Sequence, residues 1–191
     1  MRYLYIGLSL LIAITVHEFA HAVMAYIFGD DTAKIDGRIS LNPFKHLDIV
    51  GVLCLIIFRF GWARAVPIDT YKFKNYNIGL FFVSIAGIVM NLLMAFISVQ
   101  IIKFFPQIFM NFSEFFQYFI SINISLALFN LIPIPPLDGS NILLSFFPKE
   151  VQYHTYNFRK YGIFILFLLI FSGFVDKYIT FFMDKILLWM I

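Results

Sequence analysis

The sequence holds one cysteine, Cys54. It can therefore form no internal disulfide, and neither a redox compartment nor the thiolate set of an iron–sulfur cluster can be read from it. Charge is scarce as well. Asp, Glu, Lys and Arg make up 13% of the residues, about half the usage of a soluble domain. A net charge of +3 is too small to argue for a nucleic-acid partner. Also missing are a low-complexity linker, an internal repeat and any polar stretch long enough for an independent soluble core of about 50 residues. These absences exclude a disulfide scaffold, a chain of soluble domains and a nucleic-acid-binding module.

What fills the space is hydrocarbon. Hydrophobic residues reach 61% and aromatics 20%, with a mean hydropathy of +0.87, the composition of an integral membrane protein. Apolar runs fall at about 3–28, 78–105, 115–135 and 161–175, with weaker ones at 47–62 and 178–191. They predict an all-α multi-span membrane protein of about four to six transmembrane helices, folded as a single membrane-embedded domain over 1–191. The first run exceeds a signal-peptide core and has no convincing cleavage site, so it is expected to be retained as a helix. Ten of the fourteen basic residues lie in segments 29–46, 59–77 and 146–160. The positive-inside rule puts those segments in the cytoplasm, which gives four spans with the N-terminus outside and makes 47–58 a re-entrant piece. Asp184 and Lys185 mark 178–191 as an interfacial helix rather than a fifth span. In AKIDGRISL the Asp36-Gly37 pair, flanked by Ile35, Ile39 and Leu41, predicts a small β-hairpin after the first span.

Inside the first run stands HEFAH, residues 17–21. A charged side chain near mid-bilayer costs roughly 2.5–3.5 kcal/mol even on a lenient insertion scale, so polar groups there mark function. His17 and His21 are four apart and share one helical face, where two imidazoles can grip one metal ion. Glu18 projects about 100° round the helix from His17. In such an HExxH arrangement the histidines hold Zn²⁺ and the glutamate is the general base for metal-assisted hydrolysis.

A catalytic zinc needs a third protein ligand. Asp138, in NLIPIPPLDGSN, sits where Pro133, Pro135 and Pro136 must break a span, on irregular backbone that is tolerable at membrane depth only inside protein. Depth agrees. His21 lies eight residues, about 12 Å, from the helix end at Gly29, and Asp138 lies nine residues, about 13 Å, from the loop near Phe147. His46 and His154, in basic loop segments, are the rival ligands.

HEFAH followed by GRISLNPFKHLDIVG, FGWARAVPI, AGIVMN and NLIPIPPLDG, in that order, resembles the site-2 protease family of intramembrane zinc metalloproteases over about residues 10–145. The resemblance implies His17, His21 and Asp138 as zinc ligands, Glu18 as catalytic acid/base, and Asn91 and Asn130 as residues that hold an extended substrate. It also likens the expected hairpin to the family's membrane re-entrant β-loop, whose edge could add a substrate strand. Two positions depart from the pattern. Ile88 replaces the proline expected after Gly87, and Arg64-Ala65 stands where Lys-Pro is common. There is no room for an added PDZ or CBS domain, so the minimal form is implied.

The expected function is cleavage of transmembrane or membrane-proximal segments of other proteins, with one Zn²⁺, in the cell membrane, at a site toward the cytoplasmic side. A metallohydrolase of lipid or prenylated tails and a non-catalytic metal-binding protein or transporter are the competing readings. A transporter should carry polar residues along a whole pathway, and the outer halves of these spans have almost none.

Overall fold

The computed structural model describes residues 1–48, 50–51 and 63–190, apart from the side chains of 149–159. Seven helices run through them: α1 (Arg2–Ile27), α2 (Thr32–Ile35), α3 (Tyr76–Phe104), α4 (Pro106–Leu131), α5 (Asp138–Leu144), α6 (Lys149–Phe171) and α7 (Phe174–Met190). Single 3₁₀ turns stand at Pro43–Lys45 and Thr70–Lys72. The all-helical expectation holds.

By length and composition α1, α3 and α4 can each cross a membrane. Lys160–Phe171 and α7 meet at a 73° bend and make a fourth span if counted as one. The described residues thus give three or four spans of the four to six expected. Local chemistry explains the boundaries. Asn75 caps α3, its Oδ1 accepting from the Ile78 N–H. In α4, Phe112 leaves helical dihedrals (φ −130°, ψ 29°), so the helix is broken near its start. Its end at Leu131 follows from Pro133, which forces Ile132 into extended backbone.

The β-hairpin does not form. Among the described residues there is no strand, and the one isolated antiparallel bridge joins Leu47 to Ala63. Asp36-Gly37 instead ends α2: the Gly37 N–H donates to the Lys34 carbonyl and the Arg38 N–H to the Ala33 carbonyl, with Gly37 at φ 62°. That is a Schellman helix stop, which needs a left-handed glycine as much as a type I′ turn does. Burial of Ala33 against Ala22 and Val66 favours the helical alternative. The expected re-entrant piece at 47–58 lies largely outside the described residues.

Helices α1, α3 and α4 each pack on the other two, and α5 wedges against α3 and α4. The α1–α3 contact is built from two rows spaced by four residues. On α1 the row is Ser9, Ala13, His17, His21 and Ala25; on α3 it is Gly79, Val83, Gly87, Asn91 and Ala95, all ten buried. Rows of this spacing form the ridges by which helices interdigitate, and small members let the two backbones approach closely. The polar residues lie in the middle of those ridges. Ala95, at the end of the α3 row, also belongs to an apolar cluster with Ile120, Ile124, Leu128 and Met190 that joins α3, α4 and α7.

Candidate metal centre

The α1 ridge carries His17 and His21 against α3, both 6% exposed. Their Nε2 atoms lie 3.0 Å apart. Asp138, the first residue of α5, brings its Oδ2 to 3.2 Å from His17 Nε2 and 3.1 Å from His21 Nε2. Gly139 makes that approach possible, because a Cβ there would collide with the Leu131 and Ile132 carbonyls at the end of α4. Gly87 does the same for the imidazoles: a Cβ would fall 2.5–2.6 Å from ring atoms of both histidines.

The other side of each ring fixes which nitrogen bears the proton. His21 Nδ1 lies 2.7 Å from the Val83 carbonyl oxygen, and His17 Nδ1 lies 2.7 Å from Asn91 Oδ1. Both partners only accept, so in the neutral rings each Nδ1–H donates and each Nε2 presents a bare lone pair. Three lone-pair atoms then face one another at 3.0–3.2 Å with no hydrogen among them, and Asp138 Oδ2 is buried without a donor. A cation between them, a metal ion or a proton, relieves their mutual repulsion. The separations are near the ~3.3 Å edge of a tetrahedral zinc site with bonds of 2.0–2.1 Å. Among the described residues this His17–His21–Asp138 group is the one cluster of such side chains placed to hold a metal.

Glu18 is held from outside the three-residue group. Its Oε2 accepts from the Val66 N–H at 2.8 Å, which ties the HExxH glutamate to the segment 63–69 crossing the end of α1. Arg38 steadies the same segment, its Nη2 donating to the Arg64 and Ala65 carbonyls at 2.6 and 3.3 Å. Asp30, wholly buried beyond the end of α1, accepts from the Thr32 N–H, the Thr32 hydroxyl and the Asp69 N–H, so the loop is pinned at both ends.

The remaining candidates fall at varied distances from the group. Asn91 is fully buried, and its carboxamide is taken up by His17, the Ala13 carbonyl and Asn123. Asn130 is partly exposed and donates to the Leu126 carbonyl one turn back. His46 is buried in the loop, with Nε2 on the Ser40 carbonyl, and stays outside the metal group. The His154 side chain lies outside the described residues. Asn123, Gly87 and the Val66 N–H were not singled out by the sequence. An asparagine in an apolar run was the available signal for Asn123, and a backbone N–H leaves none.

The chain is similar to known proteins. The profile of peptidase family M50 matches residues 99–173, the stretch that holds Asn123, Asn130 and Asp138. The chain is 40% identical over 183 residues to "Putative zinc metalloprotease YwhC" of Bacillus subtilis (strain 168), an alignment covering 92% of this chain and 83% of that protein. It is 26% identical over 190 residues to "Putative zinc metalloprotease Rip2" of Mycolicibacterium smegmatis, covering 91% and 71%. The Rip2 protein of Mycobacterium tuberculosis (strain ATCC 25618 / H37Rv) is 27% identical over 149 residues, covering 74% and 57%. No solved structure matches.

Proposed function

The chain belongs to peptidase family M50, the site-2 proteases, and is an intramembrane zinc metalloprotease; from that premise we propose that His17, His21 and Asp138 are its zinc ligands and Glu18 its catalytic acid/base. The observation that carries the assignment is the convergence of three ligand atoms within 3.2 Å of one another. Zinc in such a site supplies a Lewis acid that polarises a carbonyl and acidifies water. Glu18 takes the proton of the attacking water and later delivers it to the leaving amine. The Val66 N–H donates to Oε2 and helps to orient the carboxylate for that traffic.

The family acts on membrane proteins within the bilayer, and the substrate segment here is a transmembrane or membrane-proximal stretch. A helical substrate must unwind first, since a helix hides its carbonyls behind its own hydrogen bonds. Asn130, part-exposed just before the Ile132–Leu137 turn, offers a free carboxamide oxygen for an unwound backbone. Asn91, whose amide is turned inward, holds the His17 imidazole instead. The single domain spans 1–191 and sits in the cell membrane with the zinc site toward the cytoplasm. In support, His21 is six residues, about 9 Å, from the end of α1 at Ile27, the end at which most of the basic loop residues gather.

The test is cleavage of a model membrane substrate by the purified protein alongside its zinc content. Glu18→Gln should retain zinc and lose activity by about 10²–10⁴-fold, the usual worth of a positioned general base. Unchanged cleavage with zinc bound would sink the role of Glu18. Asp138→Ala should lose zinc, and full retention would remove Asp138 from the ligand set.

A further inference from the structure

Asn123 lies in the middle of α4 with no exposed surface. A carboxamide buried inside a span must find partners for two donors and an acceptor, or its desolvation goes uncompensated. Its partners form a line. Asn123 Nδ2 donates to the Phe119 carbonyl at 2.8 Å, one turn back in its own helix. That contact fixes the amide's orientation, since a flip would set two oxygens against each other. Oδ1 of Asn123 is thereby turned toward α3, where it accepts from Asn91 Nδ2 at 2.9 Å. The second Nδ2 hydrogen of Asn91 goes to the Ala13 carbonyl of α1 at 3.0 Å. With both hydrogens committed, Asn91 has one orientation, and its Oδ1 faces the Nδ1–H of His17 at 2.7 Å.

We propose that Asn123 is a positioning residue for the metal centre: by holding Asn91, it holds the His17 imidazole in the tautomer and rotation that present Nε2 to zinc. Partners behind a ligating imidazole set its tautomer and basicity, and their loss commonly lowers metal affinity by about 10–100-fold. Here the line runs through three helices, from the α4 backbone through Asn123 and Asn91 to His17 on α1. Removing Asn123 leaves one Asn91 hydrogen buried without an acceptor, and the amide is then free to turn toward another one. Ala13 by itself supplies only one of the two anchors. An asparagine serving merely to join α3 to α4 would affect stability and leave the metal alone, and this difference makes the proposal testable.

The inference rests on His17 being a zinc ligand, so the experiment includes that control. Zinc affinity is measured by chelator competition on the purified full chain, and the visible spectrum of the Co²⁺-substituted protein reports the ligand field. Asn123→Leu should weaken zinc binding about 10–100-fold and alter the Co²⁺ bands. Asn123→Asp, as the neutral acid, donates its hydroxyl to the Phe119 carbonyl and keeps the acceptor toward Asn91, so it should bind zinc more tightly than Asn123→Leu. In an Asn91→Leu background, Asn123→Leu should cost no further affinity, because the route through Asn91 is already cut. Folded Asn123→Leu with parental affinity and an unchanged Co²⁺ spectrum overturns the proposal, as does an equal loss in both backgrounds. Should the leucine variant not assemble, Asn123→Ala enters the same cycle, and folded Asn123→Ala with parental affinity and an unchanged Co²⁺ spectrum is equally fatal. Parent protein that binds no zinc, or binds it equally well as His17→Ala, refutes the ligand assignment instead.

Discussion

At the scale of single residues, the metal centre depends on what is left out as much as on what is present. Gly87 faces the two imidazoles from α3, and a methyl group there would sit 2.5–2.6 Å from His17 Cε1, His17 Nδ1 and His21 Nε2. The rings cannot yield without losing Asn91 and the Val83 carbonyl. Gly87→Ala should therefore reduce zinc affinity by at least about tenfold, on the scale of other losses around a metal site. Its stability cost should be only the 1–3 kcal/mol or so of overpacking. Zinc content after dialysis and the thermal midpoint would separate the two effects. A variant that kept full zinc affinity would mean the rings have room that the structure does not give them. Spacing alone marks His17, Glu18 and His21 as candidates, because a five-residue pattern on a helix sets its own geometry. The prolines that precede Asp138 mark it as the candidate third ligand, and the structure brings it to the two histidines. Asn123 was not legible, since a lone asparagine in a helix does not name its partner on another helix 32 residues away in sequence.

At the scale of elements, a loop decides where Glu18 points. The segment 63–69 carries the Val66 N–H to Glu18 and is held in turn by Arg38 and Asp30. Two adjacent carboxylates near Lys72 should behave differently. Asp31 is exposed and pairs with Lys72 Nζ at 2.7 Å, which holds its carboxyl below the usual range. With the folded value lowered, the pair contributes at pH above the ordinary carboxylate range and is lost as pH falls through the lowered value. Being fully solvated, it should matter little, and Asp31→Asn should leave the thermal midpoint unchanged at neutral pH. Asp30 has no exposed surface, and its two oxygens satisfy three donors. Asp30→Ala should lower stability by about 1–3 kcal/mol, the cost of buried groups left unpaired. It should also reduce turnover while zinc affinity stays at the parental level, because only the mooring of Glu18 is lost. A midpoint shift as small as that of Asp31→Asn would show that the loop is held by other contacts. This region is also where reading the sequence went astray. Asp36-Gly37 satisfies two rules at once, and only the burial of Ala33 under Val66, a contact between distant segments, selects the helix stop over the hairpin.

At the scale of the whole molecule, hydropathy located α1 and α3 to within two residues because each must satisfy its backbone internally, whereas α4 begins nine residues before the apolar run at 115–135, in the more polar stretch that holds Gln107, Asn111 and Glu114. The end of the chain was less legible. The apolar runs expected at 161–175 and 178–191 become two helices that meet at Ser172–Gly173 with a 73° bend, and a window average cannot see a turn of two residues between equally oily halves. The orientation that the positive-inside rule predicts can be tested on the intact membrane. In a Cys54→Ser background, Lys74→Cys places a thiol on the exposed loop before α3, at the end of the molecule where Lys74 N–H bonds the Phe28 carbonyl. Phe105→Cys places one at the exposed turn between α3 and α4, at the far end of α3. If the zinc site faces the cytoplasm, a membrane-impermeant maleimide should label residue 105 on whole cells and reach residue 74 only after permeabilisation. The reverse pattern would put the basic loops, the HExxH end of α1 and the site of cleavage on the opposite face. The substrate carbonyls presented to the zinc would then come from the outer part of a transmembrane segment rather than the inner part.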